Sequence, residues 1–547
     1  MSESAKKQNF LHGAALLAIA TAVVKVIGAF YKIPLEEAIG TVGYGYFTTA
    51  YDIYAVLLMI STAGLPVAMS RMISQASSVG NYNQVRRIYA TARGIFLGLG
   101  VVSTALMMLG CKVLATALNQ PDAWAAILCL GPCALLMGFM STYRGFFQGQ
   151  GNMRPTSNSQ ILEAVFKLIV GLAAAFGIMA ATQNVALAAG GAILGVTVSC
   201  VVSAIYLRIK FAGAYKELPR TQDPMESYKA TAKGLLAIAI PITIGSAGLQ
   251  LLTVVESGLY MDRLVYLIGS NLYMGQLVDG ETTVQLAADS LKGIYNTAQT
   301  VFNMPCAFII PITVSIIPAV TEKLTLNLHG EVKATEESAA RITGLLSLPC
   351  AVGLTILAGP VMRLLFGYTG WELELAQKLM AVLGISVFLY AVIQYTNALL
   401  QSHGYAHVPV INMLLCGGAK LLVVYILVGN PYIGIMGAPI GAALCYLCIG
   451  ALNLICARRL IKEKPALLKN LLSPLLPAAL MGVAVYGVYQ LLLAALGSDG
   501  SRVLLCGVPI AVGVIVYALS VVMCRTITRE DCLLLPKGEK LAKLLHL

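Results

Sequence analysis

Of the 547 residues, 58% are hydrophobic and only 11% are charged, against roughly 25% charged in soluble domains. So little charge cannot cover a water-facing surface, which excludes a cytoplasmic enzyme, a nucleic-acid-binding protein and a disordered chain. The formal net charge of +12 sits mainly in short segments between apolar runs, as topology signals and contact with anionic lipid require.

Fourteen apolar runs of helix length follow one another, at residues 12–31, 45–69, 92–116, 123–143, 156–180, 185–207, 234–258, 294–318, 342–366, 377–400, 408–429, 434–457, 471–496 and 503–524. Such runs are long enough for membrane-crossing helices and too long for barrel strands. With the amino terminus in the cytoplasm, 27 of the 37 Lys and Arg fall in inside segments and seven outside, leaving Lys25, Lys167 and Lys420 within runs. That asymmetry predicts a multi-pass protein with both termini cytoplasmic. The tail 525–547 reads as a weakly amphipathic surface segment.

The chain also repeats itself. Gln148-Gly-Gln-Gly151 follows the fourth run and Gln401-Ser-His-Gly404 follows the tenth; nineteen residues beyond each glutamine lies an intramembrane lysine, Lys167 or Lys420. Pro66 and Pro318 each precede a cation by five residues (Arg71 and Lys323), and Gly191-Ala-Ile-Leu-Gly195 matches Gly437-Ala-Pro-Ile-Gly441. Four matches in order predict an all-α integral membrane protein with two parallel six-helix repeats and two further helices. The expected divisions are an N-lobe over 1–211, a cytoplasmic linker over 212–232, a C-lobe over 233–463, and two helices with a tail over 464–547. Parallel repeats favour a substrate cavity between lobes that rock to give alternating access.

A charge in hydrocarbon is costly, so it faces a cavity or a partner. Glu163 and Lys167 are four residues apart on one helix face and can form an ion pair. Lys420 has Cys416 at that spacing and must look elsewhere, to water or an anionic ligand. Lys25 shares a face with Lys32, while Asp52 and Glu256 are acids at comparable depth that can pair with Lys25 or bind a coupling cation. Asn303 is a neutral candidate for the cavity wall. Arg71 and Arg144 close the second and fourth runs. The five histidines form no ligand cluster, the thirteen cysteines read as packing groups, and no Walker lysine follows a Gly-rich loop, so neither catalysis, a metal nor ATP hydrolysis is expected.

Gly64-Leu-Pro-Val-Ala-Met-Ser-Arg71 and Tyr143-Arg-Gly-Phe-Phe-Gln-Gly-Gln-Gly-Asn-Met-Arg-Pro-Thr156, followed by Gln160 and Glu163, resemble the multidrug/oligosaccharidyl-lipid/polysaccharide exporter superfamily. The likeness is to its polysaccharide-biosynthesis branch, typified by stage V sporulation protein B and related to lipid II flippases. It implies a bacterial cell-membrane flippase that moves a polyprenyl-pyrophosphate-linked saccharide such as lipid II outward. It would work as a monomer with no cofactor, driven by membrane potential or by Na+ or H+. Its partners would be the lipid-linked oligosaccharide and membrane lipids, with no nucleic acid. The resemblance also implies pyrophosphate-holding cations in helices 1, 2 and 8. Lys25 and Arg71 match the first two by position. The eighth run contains no Arg or Lys, which hands that work to Lys167 and Lys420. The alternatives are a cation-coupled multidrug exporter of the same fold and a membrane-embedded glycan polymerase or scaffold. A polymerase would need clustered acids in the longest outside loop, 259–293.

Overall fold

The computed structural model describes residues 3–59, 64–219, 223–273, 283–325, 328–497 and 500–527. Among them the chain is all α-helical, apart from two 3-10 turns at Pro121–Ala123 and Gly434–Met436. The helices run α1 Glu3–Met59, α2 Leu65–Ser78, α3 Tyr82–Leu109, α4 Cys111–Ala117, α5 Trp124–Gly149, α6 Arg154–Thr182, α7 Val185–Lys216, α8 Tyr228–Gly269, α9 Val284–Thr325, α10 His329–Ile356, α11 Ala358–Phe366, α12 Gly370–Ser402, α13 His407–Val428, α14 Gly437–Leu460, α15 Leu467–Leu472, α16 Leu475–Leu496 and α17 Arg502–Met523. Ten stretches among the described residues are long and apolar enough to cross a membrane. The first apolar run and most of the second share the 57 residues of α1. They are divided by a kink at Gly40, whose φ of 67° is a conformation side chains bearing a Cβ rarely adopt.

Two compact units emerge, residues 1–269 with 279–296, and residues 270–278 with 297–547. Within the first, α5 is the central packing element, with α2, α3 and α7 against it, while α6 lies on α7 and α1 on α6. Within the second, α10 packs on α12, α12 on α14, α13 on α14, and α16 on α17. Each unit thus contains a long helix broken into a short one (α3–α4 and α10–α11), followed by three long helices with the same internal neighbours.

The repeated motifs have matching structural jobs. Gly151 and Gly404 take φ values of 75° and 84°. Each amide bonds back to the carbonyl of its motif glutamine, Gln148 or Gln401, at 3.0 Å. Both motifs therefore close a helix through a left-handed turn. The second glycine pair governs close packing. A Cβ on Gly195 of α7 would lie 2.3 Å from the Gly171 Cα of α6, and one on its counterpart Gly441 of α14 would lie 2.5 Å from Val424 Cγ2 of α13. Small residues let these backbones approach. Gly195→Val is expected to destabilise the protein by about 1–3 kcal/mol through overpacking, seen as a lowered unfolding midpoint in detergent; an unchanged midpoint would mean the helices separate freely.

Candidate functional site

The second part of α1 presents two polar stripes, set by the helical period. Thr48, Thr49 and Asp52 lie on one face, and Tyr51 and Tyr54 on another. Along the first stripe sits the start of α9. Its approach requires Gly293, where a Cβ would stand 1.9 Å from the Thr41 carbonyl oxygen. This brings Lys292 fully inside the unit. Its Nζ donates to Gln120 Oε1 at 2.9 Å and to Thr49 Oγ1, and lies 5.9 Å from the centre of the Tyr260 ring. Thr49 also donates to Gln120 Oε1. The other end of the Gln120 amide donates to Asp289 Oδ1 at 2.7 Å, and Gln285 adds a second donor at 3.2 Å. One turn further along α9, Asn296 donates to Thr48 Oγ1 at 2.6 Å.

Along the second stripe, Tyr51 stands between two more cations. Lys167 of α6 donates to the Tyr51 hydroxyl at 3.4 Å and lies 5.4 Å from the centre of that ring and 5.8 Å from that of Tyr31. Lys32 of α1 is 5.5 Å from the Tyr51 centroid. Asp52 is within electrostatic reach of Lys292, Lys32 and Glu256. Glu256, on α8, is buried. Lys32, Lys167 and Lys292 take part in no ion pair within 4 Å among the described residues; their partners are hydroxyls, an amide oxygen and aromatic faces. Cation–π contact and neutral hydrogen bonds offset part of the desolvation of an ammonium group, and Asp52, Asp289 and Glu163 act on these lysines through space without direct contact.

Glu163 does something other than expected. Its carboxylate accepts from Arg144 Nη2 at 3.0 Å and from the Tyr54 hydroxyl at 2.8 Å, and Arg144 Nε donates to Ser159 Oγ at 3.0 Å. The anticipated Glu163–Lys167 pair gives way to Glu163–Arg144 because Arg144 is buried in α5 facing α6. The guanidinium fork satisfies a carboxylate and a hydroxyl together.

The eighth apolar run also needs correcting. The helix containing it begins at Val284, ten residues before the apolar run, and so carries Lys292 and Asp289. The supposed outside loop 259–293 is mostly the end of α8 and the first turns of α9. The missed signal was a polar face: Asp289, Lys292 and Asn296 are spaced by three and four, a helix stripe hidden by a hydropathy threshold. The remaining candidates are dispersed. Arg71 is exposed on α2, and Asn303 is exposed on the part of α9 in the second unit. Lys420 is half-buried on α13 in the same unit. The Lys25 side chain lies outside the described residues. No group of three or more metal-ligating side chains occurs among the described residues.

A sequence-family model described as polysaccharide biosynthesis protein matches residues 10–323, more than half of the chain and all of the cation cluster just described. The chain belongs to this family. Two relatives from Bacillus subtilis (strain 168) extend the likeness. Stage V sporulation protein B is 24% identical over 79% of this chain and 80% of its own length. Lipid II flippase MurJ is 23% identical over 87% and 88%. Among solved structures, lipid II flippase MurJ in an inward closed conformation superposes with a TM-score of 0.68 at 13% identity, covering 93% of this chain and 99% of that one. This family member accordingly has the fold of the multidrug/oligosaccharidyl-lipid/polysaccharide exporter superfamily. It is a multi-pass membrane protein.

Proposed function

We propose that the protein is an alternating-access flippase that carries a polyprenyl-pyrophosphate-linked saccharide, lipid II or a related cell-wall precursor, from the inner to the outer leaflet of a bacterial cell membrane. The observation behind this reading is the set of three lysines, Lys32, Lys167 and Lys292, gathered in one unit with no ion-pair partner within 4 Å among the described residues and walled by Tyr31, Tyr51 and Tyr260. A pyrophosphate needs fixed cations in a site of lowered dielectric, where each interaction gains strength. A drug exporter taking organic cations would instead need exposed carboxylates. Here Glu163 is neutralised by Arg144, and Asp52 lies among lysines. The sugar and diphosphate cross in polar surroundings while the polyprenyl tail stays in lipid. Rocking of two lobes supplies the alternation, and membrane potential or a Na+ or H+ gradient supplies the direction. Asp52 and Glu256 are the acids available for coupling. Lys25, Arg71, Lys420 and Asn303 are kept as secondary contact candidates.

The test is leaflet accessibility of lipid II, and of a second polyprenyl-linked glycan, in cells depleted of the protein. Accumulation of either on the inner leaflet, reversed by re-expression, is the expected outcome. Unchanged accessibility of both, with loss of organic-cation efflux, would transfer the protein to the drug-exporter class.

A further inference from the structure

Away from the lysine cluster, α3 and α7 carry six cations, Arg86, Arg87, Arg93, Arg208, Lys210 and Lys216, and no acid. Two are already engaged. Arg86 donates to the Leu218 carbonyl at 2.7 Å and covers the Tyr215 ring; Arg87 lies 3.8 Å above the ring of Tyr228. Arg93, Arg208 and Lys216 are exposed, line one cavity of about 590 Å³, and enter no ion pair among the described residues. The cavity has a built floor. Tyr89 and Phe211 stack with centroids 4.4 Å apart, and Phe211 is backed by Tyr143 at 5.0 Å and Phe146 at 4.9 Å, both from α5. A stack of buried rings holds the backbone of both helices, and so the origins of the three cationic side chains, in place.

The surroundings discriminate between ligands. Leu97 lines the cavity, and exposed Val101, Val201 and Ile205 continue along the same two helices. The site is therefore cationic at one end and apolar along its flank, the order of groups in a phospholipid. We propose that the α3–α7 cavity binds an anionic membrane phospholipid, with Arg93, Arg208 and Lys216 around the headgroup phosphate and the acyl chains along Leu97, Val101 and Ile205. Basic pockets between membrane helices take such headgroups, and arginine matches phosphate oxygens bidentately. Exposed cations alone hold free phosphate weakly, because water and salt screen them. The chains add the apolar contact that a free ion lacks. Bound lipid also relieves repulsion among three cations sharing one cavity.

Native mass spectrometry of the full-length protein, released from detergent with phosphatidylglycerol, phosphatidylcholine or inorganic phosphate, tests the proposal. The wild type should retain phosphatidylglycerol over phosphatidylcholine by about tenfold, since 1.4 kcal/mol of charge-assisted contact suffices. Arg93→Gln/Arg208→Gln/Lys216→Gln should lose one bound phosphatidylglycerol, whereas Lys210→Gln, outside the cavity, should keep it. Ala90→Trp leaves every cation intact but fills the cavity, and should lose the same lipid. Retention by the triple variant equal to wild type would overturn the proposal. Displacement of the lipid by millimolar inorganic phosphate would also overturn it, as the site would then be one for a free anion.

Discussion

Lys32→Gln/Lys167→Gln/Lys292→Gln is expected to abolish transport of the lipid-linked saccharide, lowering the rate at least 100-fold while the protein still reaches the membrane. Hydrogen bonds to charged groups contribute about 1.5–3 kcal/mol each, so each ammonium lost costs about 10- to 100-fold in hold on a pyrophosphate. Glutamine keeps a donor and removes the charge, which separates electrostatics from packing. The single variants should rank with Lys292→Gln among the most severe. Its ammonium is fully buried and held by Thr49 and Gln120, whereas Lys32 remains partly exposed. Flipping assays in vesicles loaded with lipid II provide the measurement. Wild-type rates in the triple variant would remove the cluster from the transport path.

The largest effect on stability is expected at Glu163. Its carboxylate is the ion-pair partner of Arg144, and the two side chains are only 15% and 6% exposed. Breaking such a pair from one side leaves a buried charge and costs about 3–5 kcal/mol. Glu163→Ala should therefore sharply lower the unfolding midpoint and the yield of folded protein. Arg144→Met/Glu163→Leu should recover much of the loss, because removing both charges removes the desolvation penalty with them. A loss below 0.5 kcal/mol in Glu163→Ala would show the pair to be screened by water. The Tyr54 hydroxyl, at 2.8 Å from the carboxylate, gives a second readout: Tyr54→Phe should cost about 0.5–1.5 kcal/mol, the net worth of one such bond.

Much of this membrane protein was legible along the chain. Membrane class and helix content follow from hydropathy, because a bilayer forces backbone groups to pair within each segment whatever lies beside it. The repeat followed from residues whose roles are local. Gly151 and Gly404 close helices by their own dihedral angles, and the glycines of α7 and α14 admit whichever helix lies next to them. Lys167 stood out because a charge within an apolar run needs an explanation of its own. Lys292 did not, since it lies just outside the run and its meaning depends on Gly293 admitting the Thr41 backbone beside it.

Partner choice was illegible for the same reason. Spacing by four made Lys167 the natural mate of Glu163, but helix geometry sets only which side chains can be neighbours. Arg144 reaches the carboxylate across two helices packed against α7, with a fork suited to both Glu163 and Ser159. The sequence by itself determined an apolar, duplicated, membrane-crossing chain with cations too costly to be idle, because those properties depend on residue type and order along one helix. Only the tertiary structure decided which cations are neutralised and which gather around Tyr51 and Asp52, because charges interact through space, at distances set by helix packing rather than by position in the chain.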